Sequence, residues 1–364
     1  MSSTLFDPIT LGAIEAPNRI LMAPLTRGRS NAGHVPVSEL KAEYYGQRAD
    51  AGLLIAEATG ISQEGLGWPS APGIWSGDQV AAWKPVTDEV HARGGRIILQ
   101  LWHMGRLVHS DFLGGAQPVS SSATTAPGDA HTAEGKKPYV EARALELSEI
   151  PRVIADYVHA SKNAIAAGFD GVQIHGANGY LIDQFLRDNA NFRTDGYGGS
   201  IENRIRLLRE VTQAVVDAIG ADHTSVRLSP NGETQGADDS NPVALFTAAA
   251  AALQDIGIAF LELREVKPYG NFGQTEVPRV SPEIRKVFTG PLVLNQEYTK
   301  ELADADLASG LADAISFGRP FISNPDLVER LRTGAELTPD NYRTWYSPGA
   351  EGYTDYPVLE TAAS

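Results

Sequence analysis

Apolar residues in this chain follow two rhythms. Short runs rich in β-branched residues alternate with longer stretches of helical period. The short runs predict strands at 19–24, 52–60, 96–103, 169–176, 225–230, 258–265, 291–296 and 313–318. They are continuous rather than alternating, the pattern of strands covered on both faces. The longer stretches predict helices over 38–50, 78–93, 148–167, 201–219, 242–255, 281–288, 299–309 and 324–332. Gly94-Gly95 and Gly168 are stop signals for two of them. Eight strands, each followed by a helix, predict an α/β chain built as a closed (β/α)8 TIM barrel rather than an open sheet.

The flanks refine this picture. Residues 3–18 read as a short N-terminal hairpin placed to plug the bottom of the barrel. Residues 104–147 form a long loop after strand 3, rich in Gly, Ser, Ala and Pro. Loops that follow barrel strands build the active face, so this one is a candidate lid. No Gly/Ser-rich or Pro-rich boundary divides the chain, and residues 1–364 read as one domain.

Composition adds exclusions. The chain has 42% hydrophobic and 21% charged residues, ordinary for a globular protein. A net charge of −15 argues against nucleic acid and anionic membranes as partners; solubility is its bland reading. The absence of cysteine removes disulfides, thiolate metal sites and cysteine nucleophiles. "MSSTLFDPIT" has no leader pattern, so the cytoplasm is the expected location. "GLGWPS" lacks the third glycine of a dinucleotide fingerprint, and no P-loop occurs.

Barrel chemistry gathers at the strand ends. Here those ends carry Pro24 and Thr26, then Glu57 and Ala58, then Gln100, Trp102, His103 and Arg106. Strand 4 ends in "VQIHGANGYL", with His175, Asn178 and Tyr180. Arg227, Glu262 with Arg264, Asn295, and Gly318 with Arg319 complete the circuit. Each has an ordinary reading: a surface ion pair for Arg319, backbone satisfaction for Gln100, core packing for Trp102, a satisfied strand-end histidine for His175. Arg227 in an apolar strand is harder to dismiss, because a buried charge needs a partner. Glu57 and Glu262 are a possible glycosidase pair, but amides and arginines dominate the set. His103 and His175 have no zinc-ligand spacing, and no metal is expected.

Several long motifs occur in register: "RILMAPLTRGRS", "QLWHMGR", "GFDGVQIHGANGYLIDQFLRD", "DGYGGSIENRIRLL", "SFGRPFISNPDL" and the C-terminal "GYTDYP". Together they resemble the old yellow enzyme family of FMN-dependent ene-reductases, in the bacterial branch of N-ethylmaleimide reductase-like and 2-cyclohexenone reductase-like members. The resemblance implies non-covalent FMN at the top of the barrel, with NADPH or NADH as reductant. It assigns Pro24, Thr26 and Ala58 to the flavin ring, and Gln100 and Arg227 to its pyrimidine edge. Gly318 and Arg319 fall to the phosphate, helped by backbone near Asn295 and Gln296. His175 and Asn178 would hold a substrate carbonyl, and Tyr180 would protonate the α carbon after flavin N5 delivers hydride to the β carbon. His175 also counts among the flavin neighbours. Trp68, Trp102 and Tyr353 would shape the substrate pocket. Gly176 and Gly179 are read as the turn's flexible points.

The implied substrates are electron-poor alkenes: α,β-unsaturated carbonyl compounds and related maleimide or nitro compounds. A monomer or weak homodimer is expected. Three alternatives stay open. One is an FMN barrel of another oxidoreductase subfamily, dienoyl-CoA reductase-like or dihydroorotate dehydrogenase-like, or one with a nitro or quinone acceptor. The others are a flavin-binding barrel without turnover, and a barrel glycosidase. The loop 269–272 matches the family poorly and is left unassigned.

Overall fold

A computed structural model describes residues 4–270 and 273–359; the unassigned loop 269–272 thus lies partly outside the described residues. Eight parallel strands close into a barrel: β1 (Ile20–Met22), β2 (Leu53–Gly60), β3 (Ile97–Trp102), β4 (Val172–His175), β5 (Thr224–Asn231), β6 (Leu261–Glu265), β7 (Leu292–Asn295) and β8 (Ala314–Phe317). Each pairs with the next, and β8 pairs with β1. Every residue of β2, β3, β4, β7 and β8 is buried, which is why the sequence shows unbroken apolar runs there.

One main helix follows each strand: α1 (Ser38–Gly46), α2 (Gly77–Ala92), α3 (Ile150–Ala166), α4 (Arg206–Ile219), α5 (Pro242–Ile256), α6 (Ser281–Val287), α7 (Lys300–Ala308) and α8 (Leu327–Thr333). Their buried residues fall three or four apart, as Val153, Tyr157, Ala160 and Ala164 do in α3. α2 opens with a capping box. The Ser76 hydroxyl accepts from Gln79 N, and Gln79 Oε1 accepts from Ser76 N.

Two helices differ from expectation. The stretch 201–219 divides at Ile205 into Ile201–Arg204 and α4. Arg204 is pulled inward, its Nη1 donating to the Leu186 carbonyl and to Asp239 Oδ2, and the axis breaks beside it. The stretch 324–332 begins earlier, with a short helix Arg319–Ser323, and restarts as α8. Pro325 follows Asn324 and bars it from helical dihedrals; Asn324 sits at φ −129°, ψ 87°.

The N-terminal hairpin pairs Ile9–Leu11 with Ile14–Ala16. Leu11 and Ile14 pack with Leu21, Leu53, Ile98, Phe260, Val293 and Ala314, residues of the barrel's lower end. The hairpin is therefore the expected plug. Gly12 is required at its tip: its φ is +63°, and a Cβ there would sit 2.1 Å from the Asp222 carbonyl oxygen.

The segment 104–147 is folded. It contains an antiparallel hairpin, Asp129–Thr132 with Gly135–Pro138, and a parallel pair, Val119–Ser120 with Arg143–Ala144. His131 on that hairpin packs 4.7 Å from Trp68, so the segment reaches the upper rim. Among the described residues no helix is long and apolar enough to cross a membrane.

Candidate active site

The turn after β4 is tightly constrained. Asn178 (φ 59°) and Gly179 (φ 76°) both take left-handed backbone, which asparagine tolerates and glycine adopts freely. Gly176 does not; it answers a space limit, since a Cβ there would lie 3.1 Å from the Arg227 carbonyl. The turn then enters the helix Leu181–Leu186. Asp183 accepts from Gly179 N at 2.8 Å and from Arg187 Nε at 2.9 Å, both side chains fully buried. Gln184 donates to the carbonyls of Met104 and Gly179 and accepts from Ser120 Oγ.

This bracing fixes three side chains. Tyr180 meets Trp102 edge-on at 5.0 Å and His175 edge-on at 4.9 Å. Burial pushes the Tyr180 hydroxyl up to about 12. Burial, with Arg227 and Arg264 nearby, holds His175 well below its ordinary value. His175 is thus neutral. Ala177 N donates to its Nδ1 at 3.3 Å, which leaves the ring proton on Nε2 as a donor. Asn178 N donates to Ser229 Oγ at 2.8 Å, and its side-chain Oδ1 accepts from Arg264 Nη1 at 3.2 Å.

Below the turn, a polar chain crosses the barrel interior. Gln100 donates to Gln173, Gln173 donates to Glu262, and Ser316 donates to the other oxygen of Glu262. Arg227 Nε lies 3.6 Å from Glu262, and its Nη2 donates to Asn295 Oδ1 at 2.6 Å. Strand register sets this up, because Gln100 pairs with Gln173, and Arg227 with both His175 and Glu262.

Beside these groups opens a cavity of about 560 Å3. Pro24, Thr26, Asn178, Arg227, Asn295, Gly318 and Arg319 all line it. That volume suits one cofactor-sized ligand. Ala58, Gln100, Trp68, Trp102, His175 and Tyr180 are not in its lining. Ala58 and Trp102 belong with the partly buried Trp68 and Tyr180 to an adjoining apolar cluster. Asn178, in the cavity lining, lies two residues before Tyr180 of the cluster.

Tyr353 lies apart from both. It is fully buried and stacks flat on Tyr44 at 4.1 Å, with the Arg29 guanidinium 4.4 Å over its ring. Arg27 and Arg29, part of the "LTRGRS" motif, donate to the carbonyls of Thr344, Trp345, Gly349, Glu351 and Gly352. They pin the C-terminal segment, whose Trp345 and Tyr346 wall the cavity. Sequence reasoning missed these wall residues and the contact of Arg264 with Asn178. The strand-end position of Arg264 was the available signal.

The two carboxylates of the glycosidase alternative are both engaged. Glu57 pairs with Lys41 at 2.5 Å, both fully buried, and accepts from Arg27 N and Gly28 N. Glu262 is the hub of the interior chain.

The cavity fits a flavin nucleotide in its chemistry. Amide and guanidinium donors line one wall, and Arg227 Nε is buried with no hydrogen-bond partner among the described residues.

Comparison with known proteins agrees. Residues 4–338 match the model of the NADH:flavin oxidoreductase / NADH oxidase family. A solved old yellow enzyme homologue from Zymomonas mobilis is 62% identical, with a TM-score of 0.97 over 98% of this chain and all of that one. Morphinone reductase is 43% identical, with a TM-score of 0.95 over all of this chain and 98% of that one. A putative 12-oxophytodienoate reductase of Oryza sativa subsp. japonica is 45% identical, over 99% of each chain. The chain belongs to the NADH:flavin oxidoreductase / NADH oxidase family, as an old yellow enzyme homologue: an FMN-dependent oxidoreductase reduced by NAD(P)H.

Proposed function

We propose that the protein reduces the activated C=C bond of α,β-unsaturated carbonyl compounds. The observation that carries this reading is the turn Val172–Leu181. It sets a neutral histidine edge-on to a protonated phenol and, between them in the chain, an asparagine that lines the cavity. Two donors on one carbonyl oxygen would withdraw charge from the conjugated alkene. They would also stabilise the enolate-like charge that forms during reduction. His175, through Nε2–H, and Asn178, through its amide N–H, fill that role. When bound, FMN supplies the hydride that adds to the β carbon.

Tyr180 supplies the proton for the α carbon. With its hydroxyl at about 12, the phenol is fully protonated at neutral pH. Trp102 and His175 hold the ring from two sides and set its direction. Trp68, against His131 and Tyr346, closes the pocket further out. Tyr353 acts from behind, by fixing the segment that carries the outer wall.

For the cofactor, Arg227 and Gln100 would face the pyrimidine edge. A guanidinium there would favour the negative charge that reduction places on the ring. Thr26 would meet the carbonyl edge beside N5, Pro24 and Ala58 would pack on the ring, and Gly318 and Arg319 would take the phosphate, with Asn295 beside them. A chanoclavine-I aldehyde reductase of Penicillium roqueforti, 44% identical, supports a carbonyl-bearing substrate. Morphinone reductase solved in complex with tetrahydroNAD supports a nicotinamide nucleotide as the reductant.

The test is anaerobic. NADPH or NADH should bleach the yellow protein, and 2-cyclohexenone should restore the colour. Replacing His175 and Asn178 together by alanine should weaken binding of a phenol such as 4-hydroxybenzaldehyde along with turnover. Undiminished phenol binding would remove the clamp.

A further inference from the structure

An asparagine clamp carries an ambiguity. Its amide has a donor end and an acceptor end of nearly equal size, and a half-turn exchanges them. Turned one way, Asn178 offers a substrate oxygen two N–H groups. Turned the other way, it offers lone pairs that repel that oxygen. His175 has its choice made for it by Ala177 N. Asn178 needs an equivalent.

The backbone of Asn178 is held on both sides. Its N–H donates to Ser229 Oγ at 2.8 Å, and its carbonyl accepts from Gln235 Nε2 at 2.8 Å. Only the side-chain rotation is left to fix. Arg264 Nη1 lies 3.2 Å from Asn178 Oδ1. A guanidinium has five N–H donors and no acceptor, so only the oxygen end of the amide can face it. Arg264 is held in turn, its Nε donating to Gln296 Oε1 at 3.1 Å at the end of β6, and its Cα is paired with that of Asn295 on β7.

We propose that Arg264 is a positioning residue of the oxygen clamp: it locks the Asn178 amide with Oδ1 turned to itself and the NH2 group turned to the substrate. Burial and the nearby Arg227 lower Arg264 only to about 10, so it is still a cation at neutral pH. The contact is charge-assisted and also draws electron density from the amide, making its N–H a stronger donor. The inference rests on the clamp reading above.

The experiment is a double-mutant cycle on the FMN-loaded protein, read by equilibrium binding of 4-hydroxybenzaldehyde through the flavin absorbance change. N178A and R264M should each raise the dissociation constant about tenfold, the scale of one lost hydrogen bond. In the N178A background, R264M should add less than about twofold, because Arg264 acts through the missing amide. R264K, still donor-only, should recover binding to within about threefold of the wild type. R264Q can accept as well as donate, so it no longer dictates which way the amide turns, and it serves if R264M does not accumulate as a flavoprotein; it should bind more weakly than R264K.

Two results overturn the inference while leaving the clamp: wild-type affinity in R264M or R264Q, or an undiminished further loss in N178A/R264M. Unchanged affinity in N178A would overturn the clamp itself, and this inference with it.

Discussion

Tyr180→Phe isolates one hydroxyl. The ring keeps its edge-on contacts with Trp102 at 5.0 Å and His175 at 4.9 Å, so packing should survive. What is lost is a proton held by a phenol at about 12, above the ordinary 10. A positioned general acid contributes roughly 100- to 10,000-fold, or about 3–5 kcal/mol of barrier. In anaerobic stopped flow, re-oxidation of the reduced flavin by 2-cyclohexenone should therefore slow by at least about 100-fold. Flavin reduction by NADPH needs no proton from this side, and it should change less than about threefold. The pH profile adds a second check. A raised phenol is fully protonated below about 10 and loses its proton only as pH climbs through about 12, so the wild-type enone step should stay flat from about pH 6 to 9. An unchanged re-oxidation rate in Tyr180→Phe would refute the assignment. So would a wild-type rate already falling near neutrality, which would mark a different acid.

Other expectations follow from burial and charge. Lys41→Ala strips the fully buried Glu57 of its ion-pair partner, and should cost about 3–5 kcal/mol in denaturant unfolding of the FMN-loaded protein; a loss below about 1 kcal/mol would contradict the pairing. Arg29→Ala removes donors to four carbonyls of the C-terminal segment, where Tyr342 and Tyr346 are exposed. Chymotrypsin should cut there at least about tenfold faster, and an unchanged rate of cutting would contradict the pinning role of Arg29. His175 has a depressed value when folded, so its contribution to stability is present above its ordinary value of 6.5 and is lost as pH falls through the lower folded one. Between about pH 7 and 5, thermal melts should drop further for the wild type than for His175→Gln.

The architecture was legible because each element has its own local period. All eight strands and the hairpin appear where the apolar runs lie. What escaped was tertiary. The apolar stripe of 201–219 runs straight through Ile205, so nothing in its spacing marks the break that Arg204 causes by reaching inward to Asp239. Asn178 and Arg264 stand 86 residues apart and meet only once the barrel closes. Tyr353 was assigned to the substrate pocket from the resemblance, yet its ring lies on Tyr44, reached through cations that sequence spacing cannot pair with it.

The plug has a consequence for folding order. Residues 9–16 leave the ribosome well before Val293 and Ala314, which they must touch. Their apolar side chains can meet Leu21, Leu53 and Ile98 early, but the whole lower mouth is there to receive them only when the last strand completes the ring. Contacts of such long sequence separation form slowly. The hairpin therefore reports on closure: proteolytic protection of residues 9–16 should be among the last signals to appear during refolding, and its arrival marks a finished barrel.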